Sequence, residues 1–335
     1  MAGLRVIYSY DGLTPPARLL WLIRHGEAGG VVFFTSNISS RAQISAVIRR
    51  LDQADASTLN PVHSPLLLMT DQEGGMVRRL PGQPVLSEKQ VGESAHPAAE
   101  AASTAAGAAK NLRGAGMNIN LAPVLDVYRK AGDFIDKFSR SYSRSPQTVS
   151  RLGSDFIRAL QAGGIAATAK HFPGLGAAAA SQDTDIRPVT LNLSKATIRN
   201  VDELPYQAAI SAKTKMIMVS WATYPSLDAK RPAGLSSTIV QGELRQRLAF
   251  SGVTITDALE AGALNGFGAI SHRGELAARV GMDLILCSGQ KVSEGDEAAD
   301  GLESAYQNGT LGHTAFKASL QRILALRASL TGPAG

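Results

Sequence analysis

Short apolar runs, each bounded by turn residues, recur along the whole chain. The runs are apolar almost throughout instead of alternating with polar residues, as expected of strands that are buried on both faces of a parallel sheet. The pattern therefore predicts eight parallel strands. They cover residues 6–10, 30–34, 65–71, 117–126, 165–171, 215–224, 252–257 and 282–288.

Segments with helical periodicity lie between these strands. They cover residues 15–25, 40–54, 98–114, 146–163, 195–212, 240–248 and 271–280, and residues 314–330 supply a closing helix. Eight successive βα units favour an α/β fold of the TIM (β/α)8 barrel type over an open, doubly wound sheet. An open sheet that binds a dinucleotide carries a G-x-G-x-x-G turn after its first strand, and residues 11–16, DGLTPP, do not match it. No linker rich in Gly, Pro or Ser divides the chain, so we expect a single domain over residues 1–335.

Composition and charge exclude several classes of protein. Hydrophobic residues make up 44% and charged residues 19% of the chain, which is typical of a protein with a large buried core and not of a disordered one. The 34 Lys and Arg residues exceed the 28 Asp and Glu residues, but they are scattered, so we expect no nucleic-acid partner. Cys287 is the only cysteine, which excludes an intrachain disulfide and a cysteine-rich metal centre.

The sequence predicts no membrane span, because no stretch approaches 18 consecutive apolar residues. The first residues, MAGLR, run directly into a strand pattern and lack the features of a signal peptide. The sequence is therefore compatible with two locations: the cytoplasm, or secretion with the signal peptide already removed. The sequence does not indicate an oligomeric state.

Polar residues collect where the predicted strands end. In a TIM barrel the active site lies on the loops that follow the C-terminal ends of the strands. A single aspartate at such a place commonly caps the next helix, but five polar strand ends on one face favour a functional site. The residues concerned are Asp71 and Glu73 after the third strand, Asp126 after the fourth, Lys170 and His171 in the fifth, Trp221 in the sixth and Asp257 in the seventh.

The chemistry of these residues suits a sugar better than it suits the alternatives. The six histidines are far apart and form no H-x-x-x-H pair, and there is no G-x-S-x-G nucleophile elbow. We therefore expect neither a metal nor another cofactor. Carboxylates and cations can hold sugar hydroxyls, and a carboxylate can attack or stabilise an anomeric carbon.

Four segments resemble, in order and spacing, the signatures of glycoside hydrolase family 3, in the single-domain branch that includes bacterial β-N-acetylglucosaminidases. The segments are DQEGGMVRR at 71–79, LAPVLDV at 121–127, KHFPG at 170–174 and GVTITDAL at 252–259. The resemblance extends from about residue 5 to residue 330. It implies a TIM-barrel catalytic domain and a retaining mechanism through a covalent glycosyl–enzyme intermediate.

The resemblance also implies roles for individual residues. Asp257 falls on the nucleophile of the family, and Asp126 falls on a strand-end support. Trp221 is left open between stacking on a sugar and filling the top of the barrel. Positions that hold the sugar are matched by Asp71, Lys170, His171, Arg79 and Arg140. The alternatives are surface charges for the two arginines and a core position for the histidine.

One part of the family pattern is missing. After KHFPG the single-domain enzymes carry an Asp-x-His pair that serves as general acid and base, whereas residues 175–185 here read LGAAAASQDTD. Two-domain members take the acid from a second domain, which the sequence does not show. We therefore expect the proton donor to be Asp185, with Asp183 second and Glu73 as a more distant candidate.

Two functions are compatible with this pattern. The first is a retaining exo-β-glycosidase that hydrolyses terminal β-linked sugars, N-acetylglucosaminides or glucosides, through a glycosyl-aspartate. The second is a barrel that binds a sugar or a cell-wall glycan without turnover. Alanines 177–180 favour the second function, because they contribute no chemistry, whereas Asp257 beside an intact KHFPG favours the first. The expected partner is a carbohydrate in both cases.

Overall fold

The computed structural model describes residues 1–330, and these form the TIM barrel that the hydrophobic pattern predicts. Eight parallel strands, numbered β1 to β8 along the chain, make up the wall of the barrel. In order, they are Val6–Tyr8, Gly30–Phe33, Leu67–Thr70, Ile119–Asn120, Ala166–Phe172, Met216–Val219, Val253–Thr256 and Ile285–Leu286.

The wall closes into a ring. Strand β1 pairs with both β2 and β8. Strands β7 and β8 join through a parallel bridge between Ile255 and Leu284, and the Thr256 N–H donates to the Leu284 carbonyl over 3.0 Å. The predicted strand over residues 117–126 is regular only at Ile119–Asn120, because Pro123 has no N–H with which to continue the ladder.

Both faces of the strands are buried, which explains why the runs are apolar throughout. Inward-facing side chains such as Ile7 and Val32 pack with one another inside the barrel. Their neighbours Tyr8 and Val31 point outward and pack against the helices. The core therefore has an inner part and an outer layer, with the strands between them.

Helices surround the wall, and the longer ones, with one exception, agree with the predicted segments within a few residues. The α-helices are Ala17–Arg24, Arg41–Asp55, Glu88–Gly92, Pro97–Ala115, Phe134–Lys137, Pro146–Ala162, Lys195–Thr197, Leu204–Ser211, Ile270–Arg279, Val292–Gln307 and His313–Ser329. Ile198–Asp202 and Thr238–Arg247 are π-helical, and the 3₁₀ turns are Ala2–Arg5, Thr35–Asn37, Ala233–Leu235 and Gly262–Phe267.

The helix Val292–Gln307 is absent from the prediction, and its contact residues explain why. A Cβ atom at Gly295 would lie 2.3 Å from the ring of Tyr8, and one at Gly301 would lie 2.4 Å from the Ser271 carbonyl oxygen. The helix thus packs against the barrel through small residues, which leave a weak apolar periodicity in the sequence.

The last helix, His313–Ser329, covers the N-terminal end of the barrel. Its Ile323 and Leu326 belong to the same buried cluster as the inward-facing strand residues. Nearby, the buried Asp283 carboxylate accepts hydrogen bonds from Arg245 and Arg322, each at 2.7 Å. Structural contacts thus close the inside of the barrel at this end, and the candidate site residues lie at the opposite end. Among the helices of residues 1–330, none combines the length and the apolar character that crossing a bilayer requires.

Candidate active site

A cavity of about 190 Å³ opens at the C-terminal ends of the strands. It collects most of the polar residues that the sequence singles out, although they lie up to about 190 positions apart in the chain. The polar side chains in its lining are Asp71, Arg79, Arg140, Lys170, His171, Thr184, Asp185, Asp257 and Ser288. Apolar side chains, among them Phe34, Phe134 and Met218, complete the wall.

Asp71 and the buried Lys170 form the centre of the charged side of this cavity. The Lys170 Nζ donates to Asp71 Oδ1 over 2.7 Å and lies 2.7 Å from Glu73 Oε1. A short hairpin after β3 returns the chain to the same place, where the Arg79 N–H donates to the Asp71 carbonyl and the Arg79 Nε lies 3.8 Å from Asp71 Oδ2. The eight-residue spacing between Asp71 and Arg79 therefore places both side chains on one wall.

These ionisable groups hold each other in the charged form. Burial by itself raises the pKa of Asp71, but the positive charges of Lys170 and Arg79 outweigh it and keep this pKa below its usual value. Burial lowers the pKa of Lys170, and the carboxylates of Asp71 and Glu73 more than compensate. Asp71 and Lys170 thus present a carboxylate and an ammonium group to a ligand at neutral pH.

Glu73 is an anchor for Arg140. The guanidinium group donates from Nε and Nη2 to the two carboxylate oxygens of Glu73, both over 2.8 Å. Burial raises the pKa of Glu73, but Arg140 and Lys170 outweigh it and lower this pKa to about 2. A carboxyl group with that pKa is ionised at neutral pH, so its environment does not suit the proton-donor role for which the sequence made it a candidate.

His171 is oriented by Asp126, which is fully buried behind it. Asp126 Oδ2 lies 2.7 Å from His171 Nδ1, and Asp126 Oδ1 accepts the Leu175 N–H over 2.6 Å. Asp126 therefore fixes both the imidazole ring and the start of the loop after β5, in agreement with the supporting role expected of it. Because Nδ1 is occupied, Nε2 is the nitrogen of His171 that can meet a ligand.

Asp257 follows β7 directly and lines the cavity. Its N–H donates to the Val219 carbonyl over 3.3 Å, which continues the pairing with β6. Its Oδ1 accepts the N–H of Ala258 over 2.8 Å, which holds the side chain in place. The carboxylate therefore has a fixed position at the end of the strand.

Asp185 stands at the open mouth of the same cavity, on the loop after β5. The backbone of this loop is tied to the segment after β7, because the Gly262 N–H donates to the Asp185 carbonyl over 2.8 Å and the Ala263 N–H donates to the Thr184 carbonyl over 3.0 Å. The surrounding protein partly removes water from Asp185, and this desolvation is the largest cause that raises its pKa. The negative charges of Asp257 and Asp183 raise it further, to about 7. The cavity thus contains a carboxyl group that can hold a proton near neutral pH.

The remaining expected site residues, Asp183 and Trp221, are not among those that line the cavity. The Asp183 Oδ1 accepts the N–H of Asp185 over 3.0 Å, which shapes the loop. Trp221 is buried, with its Nε1 donating to the Ala258 carbonyl over 2.8 Å. This burial, and the absence of Trp221 from the cavity lining, favour packing at the top of the barrel over stacking on a sugar.

The family model described as the glycosyl hydrolase family 3 N-terminal domain matches residues 14–326. The chain belongs to this family. It is therefore a glycoside hydrolase, and its barrel is the fold that the family membership implies.

Curated relatives match this family 3 hydrolase over most of their length. An uncharacterized secreted glycosyl hydrolase from Arthroderma benhamiae is 44% identical over 330 residues, which are 98% of this chain and 93% of the relative. A β-hexosaminidase from Nitrosomonas eutropha is 31% identical over 296 residues, which are 85% of this chain and 79% of the relative.

Solved structures of the family have the same fold. A family 3 β-N-acetylglucosaminidase from Paenibacillus sp. superposes with a TM-score of 0.92 at 32% identity, over 100% of this chain and 63% of the other. This hydrolase thus spans less than two thirds of the Paenibacillus chain. A β-N-acetylhexosaminidase from Beutenbergia cavernae has a TM-score of 0.86 at 27% identity, over 97% of both chains.

The sequence did not single out some cavity residues of this family 3 hydrolase. Thr184 and Ser288 both line the cavity, and the only available signal is their position beside a predicted donor or at the end of a predicted strand. Within residues 1–330, histidine, cysteine and carboxylate side chains form no group of three or more with an arrangement that could hold a metal ion.

Proposed function

We propose that this chain is a retaining, exo-acting β-N-acetylhexosaminidase in which Asp257 is the nucleophile and Asp185 is the general acid and base. The observation that carries the proposal is that both carboxyl groups line one cavity and that the pKa of Asp185 is raised to about 7. A retaining glycosidase needs one carboxylate that attacks and one carboxyl group that can donate a proton.

The first step forms a glycosyl-aspartate. A carboxylate oxygen of Asp257 attacks the anomeric carbon while the bond from that carbon to the leaving oxygen breaks. Asp185 gives its proton to the leaving oxygen, which departs as an alcohol. Loss of this proton leaves Asp185 as a carboxylate, ready for the second step.

The second step releases the sugar. Asp185 takes a proton from a water molecule, whose oxygen attacks the anomeric carbon and breaks the bond to Asp257. Two inversions restore the β configuration, and both carboxyl groups return to their starting states.

The charged side of the cavity binds the sugar. Asp71 accepts hydrogen bonds from sugar hydroxyls, and Lys170 donates to them. Arg79 and Arg140 add further donors, and His171, whose Nδ1 proton faces Asp126, offers Nε2 as an acceptor. The volume of about 190 Å³ supports exo action, because cavities for larger ligands usually exceed about 300 Å³. The cavity thus suits one sugar residue, with the leaving group outside it.

N-acetylhexosaminides are proposed ahead of glucosides because of the relatives. The Nitrosomonas relative is named a β-hexosaminidase, and the Paenibacillus and Beutenbergia structures are named a β-N-acetylglucosaminidase and a β-N-acetylhexosaminidase. Identity of 27–32% over nearly the whole barrel supports a shared substrate class.

The test is hydrolysis of 4-nitrophenyl β-glycosides of N-acetylglucosamine, N-acetylgalactosamine and glucose, with the anomeric form of the first product followed by NMR. We expect the N-acetylglucosaminide to be cleaved fastest and the β anomer to appear first. We expect Asp257→Asn to lower kcat by about 10⁴-fold or more while the melting temperature stays near that of the wild type. A first product with the α configuration would contradict retention. Thermal stabilisation by the sugar without any release of nitrophenol would support a binding protein instead.

A further inference from the structure

Ser288 is a cavity residue held by a carboxylate that lies outside the cavity lining. It follows β8, and its Oγ donates to Glu260 Oε1 over 2.5 Å, while its N–H donates to Glu260 Oε2 over 3.2 Å. Glu260 therefore engages both hydrogen-bond donors of Ser288, through one oxygen each. This pair has no role in the mechanism proposed above.

The pairing decides what Ser288 can offer to a ligand. A serine hydroxyl has one proton and two lone pairs. One oxygen of Glu260 accepts the Ser288 N–H and the other accepts the Ser288 hydroxyl, so the proton of Ser288 is committed to Glu260. What remains toward the cavity is a hydrogen-bond acceptor, and its proper partner is a donor on the substrate.

The location of Ser288 narrows the choice of donor. Glu260 lies three residues after Asp257, and Ser288 follows the strand that is adjacent to the strand of Asp257. The charged residues Lys170 and Arg140 belong to the opposite side of the barrel, on β5 and on the loop after β4. Ser288 thus lies on the same side of the cavity as Asp257, the proposed nucleophile.

We propose that Ser288 Oγ accepts a hydrogen bond from a substrate donor adjacent to the anomeric carbon, and that Glu260 is a positioning residue that fixes this hydroxyl as an acceptor. The proposal rests on the proposed function. Two substrate groups have the required chemistry, namely the N–H of a 2-acetamido group and a hydroxyl of the leaving sugar.

Kinetics of Ser288→Ala on three substrates distinguish the two donors. The substrates are 4-nitrophenyl N-acetyl-β-glucosaminide, 4-nitrophenyl 2-deoxy-β-glucoside, which has no donor at C2, and N,N′-diacetylchitobiose, whose leaving group is a sugar. For the acetamido donor we expect kcat/KM to fall about three- to tenfold on the first and third substrates and to stay unchanged on the second, because one neutral hydrogen bond is lost. For the leaving-group donor we expect the loss on chitobiose alone.

Four further variants separate recognition from structure. Ser288→Thr keeps the hydroxyl and should restore most of the lost activity. Glu260→Gln should give a smaller loss on the same substrates, and combining it with Ser288→Ala should add no further loss, because Glu260 acts through Ser288. Ser36→Ala is the matched control, since Ser36 is an exposed serine bonded to Gln290 nearby and should behave as wild type.

Equal losses on all three substrates, or no loss on any, would overturn the proposal for Ser288. If the wild type hydrolyses none of them, the proposed function fails, and calorimetry with N-acetylglucosamine then tests Ser288 on its own. Ser288→Ala should weaken that binding about threefold or more if it meets the acetamido group. The same measurement with N,N′-diacetylchitobiose tests the hydroxyl of the leaving sugar. Undiminished binding of both sugars by the variant, or no binding of either by the wild type, would overturn the proposal in that case.

Discussion

Asp185 and Asp257 follow different strands and line the same cavity, and the negative charge of Asp257 helps to raise the pKa of Asp185 to about 7. The nucleophile that we propose thus also helps to keep the proposed acid protonated. This relationship makes the activity dependent on pH in a way that can be measured.

The first prediction concerns the basic limb of the pH profile. Because Asp185 must carry a proton in the first step, kcat/KM should fall as the pH rises through about 7. Asp183 also raises the pKa of Asp185, so Asp183→Asn should move this limb to lower pH. The control is Asp155→Asn, which removes a half-buried carboxylate paired with Arg158 on a helix. Identical basic limbs for the wild type and Asp183→Asn would show that another group limits the reaction.

The second prediction concerns stability. The pKa of Asp185 is higher in the folded chain than its ordinary value of 3.8, so the folded state binds this proton more tightly than the unfolded state does. The resulting stabilisation is complete below about pH 4 and is lost as the pH rises through 7. Asp185→Asn should therefore raise the melting temperature relative to the wild type at pH 8 and change it little at pH 4.5. A lower melting temperature at pH 8 would mean that the ionised carboxylate has a favourable partner.

The third prediction concerns the leaving group. Asp185→Ala should lower kcat/KM by about 10²- to 10⁴-fold for chitobiose, whose leaving group needs a proton. It should largely spare glycosylation by a 2,4-dinitrophenyl glycoside, and azide should accelerate the second step. Asp183→Ala is the matched variant on the same loop, and its losses should be smaller and equal on both substrates. A reversed pattern would assign the proton to Asp183.

The fourth prediction compares Asp71 with Trp221. Asp71→Ala should reduce kcat/KM by the equivalent of about 2 kcal/mol, because sugar hydroxyls lose their acceptor and the buried Lys170 loses a partner. Trp221→Phe should affect the melting temperature more than the KM, since its indole packs against Gly234 and donates to the Ala258 carbonyl. Wild-type kinetics for Asp71→Ala would show that the sugar binds elsewhere.

The strand ends could be predicted from the sequence because both the apolar runs and the residues that follow them are local features. Asp71, Lys170 and Asp257 therefore came together as expected from the order of the strands. Contacts between segments that are distant in the chain have no local sequence feature from which they could be predicted. The pairing of Glu73 with Arg140 joins residues 67 positions apart and has no counterpart in the local pattern.

The loop after β5 shows the same limit. Asp183 and Asp185 are two residues apart in a polar stretch, and nothing local determines which of them reaches the cavity. The choice follows from the backbone contacts with Gly262 and Ala263, which belong to a segment about 80 residues later.

The attachment of this loop through its backbone has a consequence for how the sequence can vary. Its position depends in part on the carbonyl groups of Thr184 and Asp185, which any residue could supply. The exposed side chains of Ala179 and Ala180 are therefore under little constraint, whereas Ala178 is buried in the core. The constraint falls instead on position 262, where a Cβ atom would lie 2.1 Å from the Ile186 carbonyl oxygen. The position of the proposed acid thus depends on a glycine in another loop. Substitution of Gly262 would displace Asp185, although Gly262 itself does not contact the sugar.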